Sequence, residues 1–318
     1  MNYSVAIRTL GKAGDKYERL LRSVDKQTVA PDGVFVYIAE GYALPPKVSD
    51  EVYVRCAKGM VHQRAIPYDE ITSDFILLCD DDIELQPDSV EKMMRGLEEN
   101  EGDAIAANLY FNHKWSLKEK FIQSVFHGLS PSLSAKYAYP VRRNGYFRYS
   151  LYPREVMETQ CFPGGCVLIR KEALLAVRLA DECWMDQCRY TLGDDQLLAY
   201  KLYRYGYKVL IHSNVGIIHL DAQSGHETDK YKDFKESQFL QYIIWYRSIY
   251  QPDTWFGRRL DSLCFYSRWC FRYAIAILSH LLGRNRHSDR DTRRALKDGK
   301  RYVRSEAFLS IPKWEVTR

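Results

Sequence analysis

The chain has 318 residues, 46% of them hydrophobic, and a formal net charge of +5. That length and apolar share exclude a disordered or fibrous chain and leave room for one large domain, or for a domain with an extension. No uncharged apolar run reaches the roughly 18 residues that a bilayer-spanning helix needs, so no spanning helix is expected. The charge is uneven: 15 of the 46 Lys and Arg but 6 of the 41 Asp and Glu fall in residues 255–318, a balance of +9 there against −4 in the remainder. A basic tail on a slightly acidic body points to an anionic surface as a partner.

Met1-Asn-Tyr-Ser-Val opens directly as a strand, so no secretory leader is expected. Ser4 to Thr9 reads as the first strand, and Lys16 to Val24 as a helix carrying Leu20 and Leu21. Val34 to Ile38 and Glu51 to Arg55 read as two further strands, the first ending at Ala39-Glu40-Gly41. Met60 to Ile71 is predicted helical. Phe75 to Cys79 is an apolar run of strand length that enters three carboxylates at once: Asp80, Asp81 and Asp82. Pro87 and Asp88 then open a helix with Val90, Met93, Met94 and Leu97 at helical spacing.

The order strand, helix, strand, strand, helix, strand, helix calls for parallel strands with crossovers, hence an α/β fold with a doubly wound, mostly parallel sheet. Ligands of such sheets bind at the carboxyl ends of the strands, where the acidic cluster sits. In extended backbone Asp80 and Asp82 project to one face and Asp81 to the other. Three adjacent carboxylates repel one another unless a cation neutralises them, and a hard divalent ion with oxygen ligands does so while also meeting a phosphate. The competing reading is a solvated acidic turn that caps the next helix. Neither a Walker loop nor a dinucleotide fingerprint occurs.

Ala104 to Tyr110 is another strand. Residues 112–160 then lose clean periodicity and mix Trp115, Phe121, Phe126, Tyr137, Tyr139, Tyr146, Phe147 and Tyr149 with Lys and Arg, the pattern of a functional or mobile segment. Regularity returns with the turn Cys161 to Gly165 feeding a strand to Arg170. It continues with Leu192-Gly-Asp-Asp195, a helix through Tyr205 stopped by Gly206, and strands Tyr207 to His212 and Val215 to His219. Eight cysteines in a long chain, several in apolar strands, do not form a secreted disulfide framework. The matched spacings Cys161-x4-Cys166 and Cys183-x4-Cys188 are not a usual zinc pattern, so zinc is not expected.

These motifs together resemble a family-2 glycosyltransferase of the GT-A fold, from about Tyr3 to Arg247. The first strand and Leu20-x2-Ser23-x3-Gln27-Thr28-x2-Pro31 are similar to the family's opening; Val34 to Gly41 resembles its strand ending in Asp-Asp-Gly; and Asp80 to Asp82 resembles its Asp-x-Asp. Gly164-Gly165 resembles the glycine turn before the donor-floor strand. Gly193-Asp194-Asp195 resembles Gly-Glu-Asp, Gly206-Tyr207-Lys208 and His219 follow in order, and Trp245-Tyr246-Arg247 resembles Tyr-Tyr-x-Arg-Asn with Ser248 in place of Asn. Ala39 departs from the family's first Asp and Asp194 from its Glu, which leaves the nucleotide base and the acceptor open.

The resemblance implies a nucleotide-sugar-binding GT-A domain over 1–250, with a nucleotide-binding half at 1–110 and an acceptor-binding half at 111–250. A basic, aromatic-rich helical extension over 251–318 follows. It implies an inverting, metal-dependent transfer of a hexosyl or deoxyhexosyl group, of the bacterial polysaccharide, rhamnosyl or galactosyl type. The sugar would pass from a UDP- or dTDP-sugar to a hydroxyl of a glycan or lipid-linked acceptor. Asp82, with Asp80 and His219, would hold Mn2+ or Mg2+. Asp195 would be the general base, beside Asp194, since paired carboxyls push one pKa upward. Thr9, Glu40, Arg64, Asp80, Asp81, Gly164, Gly165 and Arg247 would line the nucleotide-sugar site, and Trp184 the acceptor. A metal-dependent nucleotidyltransferase and a non-catalytic nucleotide- or glycan-binding module are the alternatives.

Residues 255–282 interleave aromatics and aliphatics with Arg258, Arg259, Arg268 and Arg272. This predicts a helix lying in the interface of an anionic membrane, on the cytoplasmic face, rather than a nucleic-acid contact. The competing readings are packing on the sheet and a homodimer contact.

Overall fold

The computed structural model describes residues 1–109, 116–117, 136–146, 154–188, 193–220, 230–283 and 288–317. The strands are β1 Tyr3–Thr9, β2 Val34–Ala39, β3 Val52–Cys56, β4 Phe75–Asp80, β5 Ile83–Leu85, β6 Ala104–Ala107, β7 Val156–Glu158, β8 Cys166–Arg170, β9 Val209–His212 and β10 Ile217–His219. The helices are α1 Asp15–Val24, α2 Ser89–Glu99, α3 Lys171–Ala176, α4 Asp194–Arg204, α5 Lys230–Trp245, α6 Trp255–Leu281, α7 Ser288–Tyr302 and α8 Glu306–Leu309. A 3-10 helix, Leu179–Gln187, lies between α3 and α4, and a π-helical turn, Tyr246–Tyr250, prolongs α5.

Eight strands form one mostly parallel sheet in the order β3-β2-β1-β4-β8-β6-β9-β7, and β10 pairs with β5 in a small second sheet. The run β3-β2-β1-β4 is parallel, as expected from the crossovers. The sheet is not parallel throughout, however. Strand β8 runs antiparallel between β4 and β6, and β7 antiparallel to β9. The consequence for the site is direct: the start of β8 lies beside the end of β4, and Asp80 N–H donates to the Gly165 carbonyl at 2.9 Å.

Every strand of the sheet centre is apolar on both faces, which is why these segments read as continuous hydrophobic runs. One face, with Val5, Ile7, Val36, Leu77, Ile105 and Leu168, packs on Leu20 and Leu21 of α1 and Val90, Met93 and Leu97 of α2. The other, with Tyr37, Ile76, Leu78, Val167 and Ile211, packs on Leu197, Leu198 and Leu202 of α4 and Leu240 and Ile243 of α5. Phe265, Leu296, Val303, Phe308 and Trp314 of the C-terminal region join this second core.

Met60 to Ile71, expected as a helix, forms consecutive turns instead. Pro67 removes a helical donor, Tyr68 takes a left-handed φ of 53°, and the amides of Val61 and His62 are claimed by the Asp186 carboxylate. Of the aromatics in the unpatterned stretch, Tyr137, Tyr139 and Tyr146 fall among the described residues; Trp115, Phe121, Phe126, Phe147 and Tyr149 lie outside them.

Candidate active site

The acidic turn emerges where β4 ends. Asp80 is its last strand residue, and Asp81 and Asp82 make the turn into β5. Because β5 pairs with β10, with Ile83 opposite His219, the imidazole is delivered to the turn from more than a hundred residues away. His219 Nε2 lies 3.5 Å from Asp82 Oδ1, and the Asp82 carbonyl accepts from Leu220 N–H at 2.8 Å.

Two arginines bind the cluster together. Arg8, at the end of β1, donates to both oxygens of Asp80 at 2.5 and 3.1 Å and to Asp194 at 2.9 Å. Arg64 donates to Asp194 at 3.1 Å and Asp80 at 3.2 Å, and also pairs with Asp195. Burial works against the Asp80 carboxylate, but Arg8 and then Arg64 outweigh it and hold the carboxyl well below the ordinary range. For Arg64 burial dominates, and the like charge of Arg8 adds to it, so its pKa is lowered.

Asp81 turns the other way, as strand alternation requires, and accepts from the Thr9 hydroxyl at 2.5 Å. Burial, with the charges of Asp80 and Asp82 adding, pushes this carboxyl up to about 6 despite the Thr9 hydrogen bond. The Thr9 hydroxyl in turn accepts from Gly11 N–H at 2.8 Å, and Gln63 donates to the Thr9 carbonyl at 3.0 Å.

Asp194 and Asp195 open α4 behind Gly193, whose φ of 97° is a left-handed conformation that glycine takes without steric cost. Asp194 is buried beneath the two arginines, while Asp195 is more open. A Cβ on Gly164 would overlap the Asp195 carboxylate, so a side chain there would displace Asp195 from its place beside Arg64. The edge of the sheet therefore brings together Thr9, Arg64, Asp80, Asp81, Asp82, Gly164, Gly165, Asp194, Asp195 and His219. Glu40 is exposed at the end of β2, with its backbone N–H bonded to the Cys56 carbonyl.

Arg247 and Trp184 lie in a different constellation. The Arg247 guanidinium is buried and donates to Glu182 at 2.6 and 2.9 Å and to the Pro312 carbonyl at 2.9 Å. The Trp184 indole N–H also donates to Glu182, at 2.9 Å, as do Lys201 at 2.8 Å and the Trp314 indole at 2.9 Å. A diphosphate contact by Arg247, as the resemblance implied, would require it to leave the fully buried Glu182.

Residues that the sequence did not single out complete the arrangement. Arg8 carried one signal, a cation inside an otherwise apolar strand. Asp186 carried none: it accepts from Val61 N–H, His62 N–H and His62 Nδ1, the last at 2.7 Å, and so anchors the loop that presents Arg64. His62, Cys183 and Asp186 form a three-residue group of potential metal ligands, apart from the acidic turn.

For a divalent ion at the acidic turn, the donor atoms of Asp82 and His219 fit: adjacent ligands of an octahedral ion stand roughly 3 Å apart at bond lengths of about 2.1 Å, and theirs are 3.5 Å apart. A carboxylate with an imidazole suits Mn2+ and Mg2+ less equally, since imidazole favours the softer transition ion. Asp80, expected as a third ligand, is instead held in place by Arg8 and Arg64.

Residues 50–177 match Glycosyl transferase family 2. No curated protein matches the chain by sequence. Among solved structures, Staphylococcus aureus TarS 1-349 superimposes with a TM-score of 0.55 at 13% identity, covering 96% of this chain and 82% of that one. TarS 1-349 in complex with UDP-GlcNAc gives a TM-score of 0.53 at 12% identity, covering 96% of this chain and 83% of that one. Residues 50–177, which carry the acidic turn and the glycine turn, thus match the glycosyl transferase family 2 model, and the chain shares the GT-A-like fold of TarS 1-349.

Proposed function

We propose that the protein is an inverting glycosyltransferase that moves a sugar from a nucleotide-sugar, a UDP- or dTDP-sugar, to a hydroxyl of a glycan or lipid-linked acceptor. The observation that carries this reading is the meeting of Asp82 and His219 with Asp194 and Asp195 at one sheet edge, across two arginines. The family match and the UDP-GlcNAc complex of TarS support the donor class.

The side chains divide the work by position. Asp82 and His219 would hold Mn2+ or Mg2+, which supplies Lewis-acid neutralisation of the departing diphosphate. Thr9, Asp81 and Glu40, at the ends of the first, fourth and second strands, would meet the nucleoside. Arg8 and Arg64 fix the carboxylates before donor arrives, so their reorganisation during transfer is small. Of the pair that opens α4, Asp195 is the more exposed carboxylate and lies against Gly164, which supports it as the base that takes the acceptor proton. With one base and no protein nucleophile, the acceptor oxygen gives its proton to Asp195 and bonds to the anomeric carbon from the face opposite the nucleotide, while the bond from that carbon to the diphosphate oxygen breaks and nucleoside diphosphate leaves; a single displacement inverts the centre.

In this reading residues 1–250 are the catalytic unit and 251–318 a helical extension. Helix α6 presents an exposed apolar stripe, Phe256, Leu260, Leu263, Phe271, Leu278 and Leu281, at spacings of three, four, seven and eight, flanked by the exposed Arg259. No helix of the described residues is long and apolar enough to cross a membrane. The stripe supports peripheral attachment to an anionic cytoplasmic membrane face, near a lipid-linked acceptor.

Incubating the protein with UDP-sugars, dTDP-sugars and Mn2+ tests the reading. Release of nucleoside diphosphate that requires metal and Asp82 supports it. Release of pyrophosphate from a nucleoside triphosphate would assign a nucleotidyltransferase instead, and nucleotide binding without turnover a binding module.

A further inference from the structure

Helix α7 is two-faced. Thr292, Ala295, Leu296 and Gly299 are buried at i, i+3, i+4 and i+7, with Val303 buried in the turn that follows, and Gly299 lets Tyr242 of α5 approach so closely that a Cβ would stand 2.7 Å from its ring. The opposite face carries Arg290, Arg293, Arg294, Lys297 and Arg301, a stripe about 16 Å long at 1.5 Å per residue, and Arg304 in the turn just beyond prolongs it. These side chains do not point into open solvent alone. With Lys300 they line a cavity of about 1180 Å³ walled by Trp269 and Leu296, and Asp298 is the single carboxylate among its lining residues.

Like charges at i, i+3 and i+4 repel, and Asp298, which pairs with Arg294 and Lys235, offsets only part of the stripe, so a bound anion would relieve the rest. Two further cations stand close by, outside the cavity lining. Arg268 and Arg272 of α6 lie behind the shared wall of Trp269 and Leu296. The Arg268 Nε is buried with no hydrogen-bond acceptor among the described residues, and its guanidinium lies over the Tyr146 ring at 4.8 Å. Burial first, and Arg272 second, lower its pKa to about 10. Trp269 stacks on Tyr273 at 5.1 Å, a rigid apolar wall beside the cations.

We propose that the cavity between α6 and α7 is a binding site for a phosphate-bearing anion, separate from the acidic edge of the sheet. Five of the six stripe cations are arginines, whose planar forks hold phosphate oxygens two at a time. The phosphates could belong to a soluble chain or to lipid headgroups; the chemistry of recognition is the same.

Isothermal titration with inorganic tripolyphosphate, run without divalent metal because tripolyphosphate chelates it and because the acidic edge then repels the anion, reads the first source. Cosedimentation with phosphatidylglycerol vesicles against phosphatidylcholine vesicles reads the second. The variant Arg294→Ser/Lys297→Ser/Arg301→Ser changes exposed positions only, so it should fold, which circular dichroism and its Tm confirm. Each cation removed should weaken binding about fivefold, on the order of a hundredfold for three. Saltier buffer should weaken the unaltered protein as well. Tripolyphosphate binding lost in the variant identifies a soluble ligand, and vesicle binding alone lost in the variant identifies headgroups; either supports the site. No binding of either probe, or binding that the variant retains in full, overturns it. Metal-dependent UDP binding is expected to survive the triple substitution, so failure at this cavity leaves the transferase reading untouched.

Discussion

Asp82 is expected to be the residue on which metal dependence rests, because it shares a cation-sized gap with His219 while Asp80 is committed to Arg8 and Arg64. Asp82→Asn should abolish transfer and remove only the metal-dependent part of nucleotide affinity, read by thermal shift with UDP with and without Mn2+. Unchanged turnover at saturating metal would refute the assignment. Asp195→Asn should fold and bind donor but lose about 10²-fold or more in kcat, the usual contribution of a general base. Its neighbour Asp194 is buried under both arginines, so Asp194→Asn should lower stability as well as rate. Asp81 adds a pH signature. Its carboxyl rises from an ordinary 3.8 to about 6 in the folded state, so the native chain binds this proton more tightly than the unfolded chain does. Its contribution to stability therefore falls as pH climbs from about 4 to about 6 and stays lost above. Asp81→Asn should flatten that part of a urea-midpoint profile, and a profile unchanged by the substitution would contradict the shift.

Among the elements, the 3-10 helix Leu179–Gln187 is the one that couples the site to the tail. Its Glu182 accepts from Arg247, Lys201, Trp184 and Trp314, and its Asp186 anchors the loop that carries Arg64. Burial opposes the Glu182 charge, but Lys201 and Arg247 bring its pKa down to about 2. A depressed carboxyl stabilises the fold above its unfolded value, 4.5, and this contribution drains away as pH falls toward about 2. Glu182→Gln leaves two buried cations without their anion and should cost about 3–5 kcal/mol, the range for breaking a buried ion pair. Chemical denaturation at pH 7 measures it. A loss below about 1 kcal/mol, the size of a surface pair, would show that the hub is solvated.

The whole molecule combines an acidic sheet edge, the candidate active site, with a C-terminal region that is both packed and exposed. Phe265, Val303, Phe308 and Trp314 are buried in the common core, whereas Phe256 is 72%, Leu263 67% and Leu281 78% exposed on α6. If that stripe attaches to membrane, Leu263→Ser/Leu278→Ser should reduce cosedimentation with anionic vesicles while leaving tripolyphosphate binding intact. If it closes a homodimer, the same pair should convert a dimer to a monomer in sedimentation equilibrium, with no vesicle binding in either form.

What the residues determine by themselves is local. The strand runs, the acidic turn, the glycine turns and the helix behind Gly193 are legible because apolar periodicity and turn chemistry act over a few neighbours. Their order was enough to suggest the fold and most of the side chains that now meet at the sheet edge. Local pattern failed where a distant group intervened: Met60 to Ile71 has helical periodicity, yet Asp186 claims its amides and Pro67 breaks it. It was silent on the antiparallel course of β8, on Arg8 bridging Asp80 and Asp194, and on the pairing that carries His219 to Asp82. It also misplaced Arg247, whose cationic charge suits a diphosphate equally well until Glu182 is seen beside it. These are contacts between residues far apart in the chain, and only the packed sheet, by fixing which strand ends lie side by side, decides them.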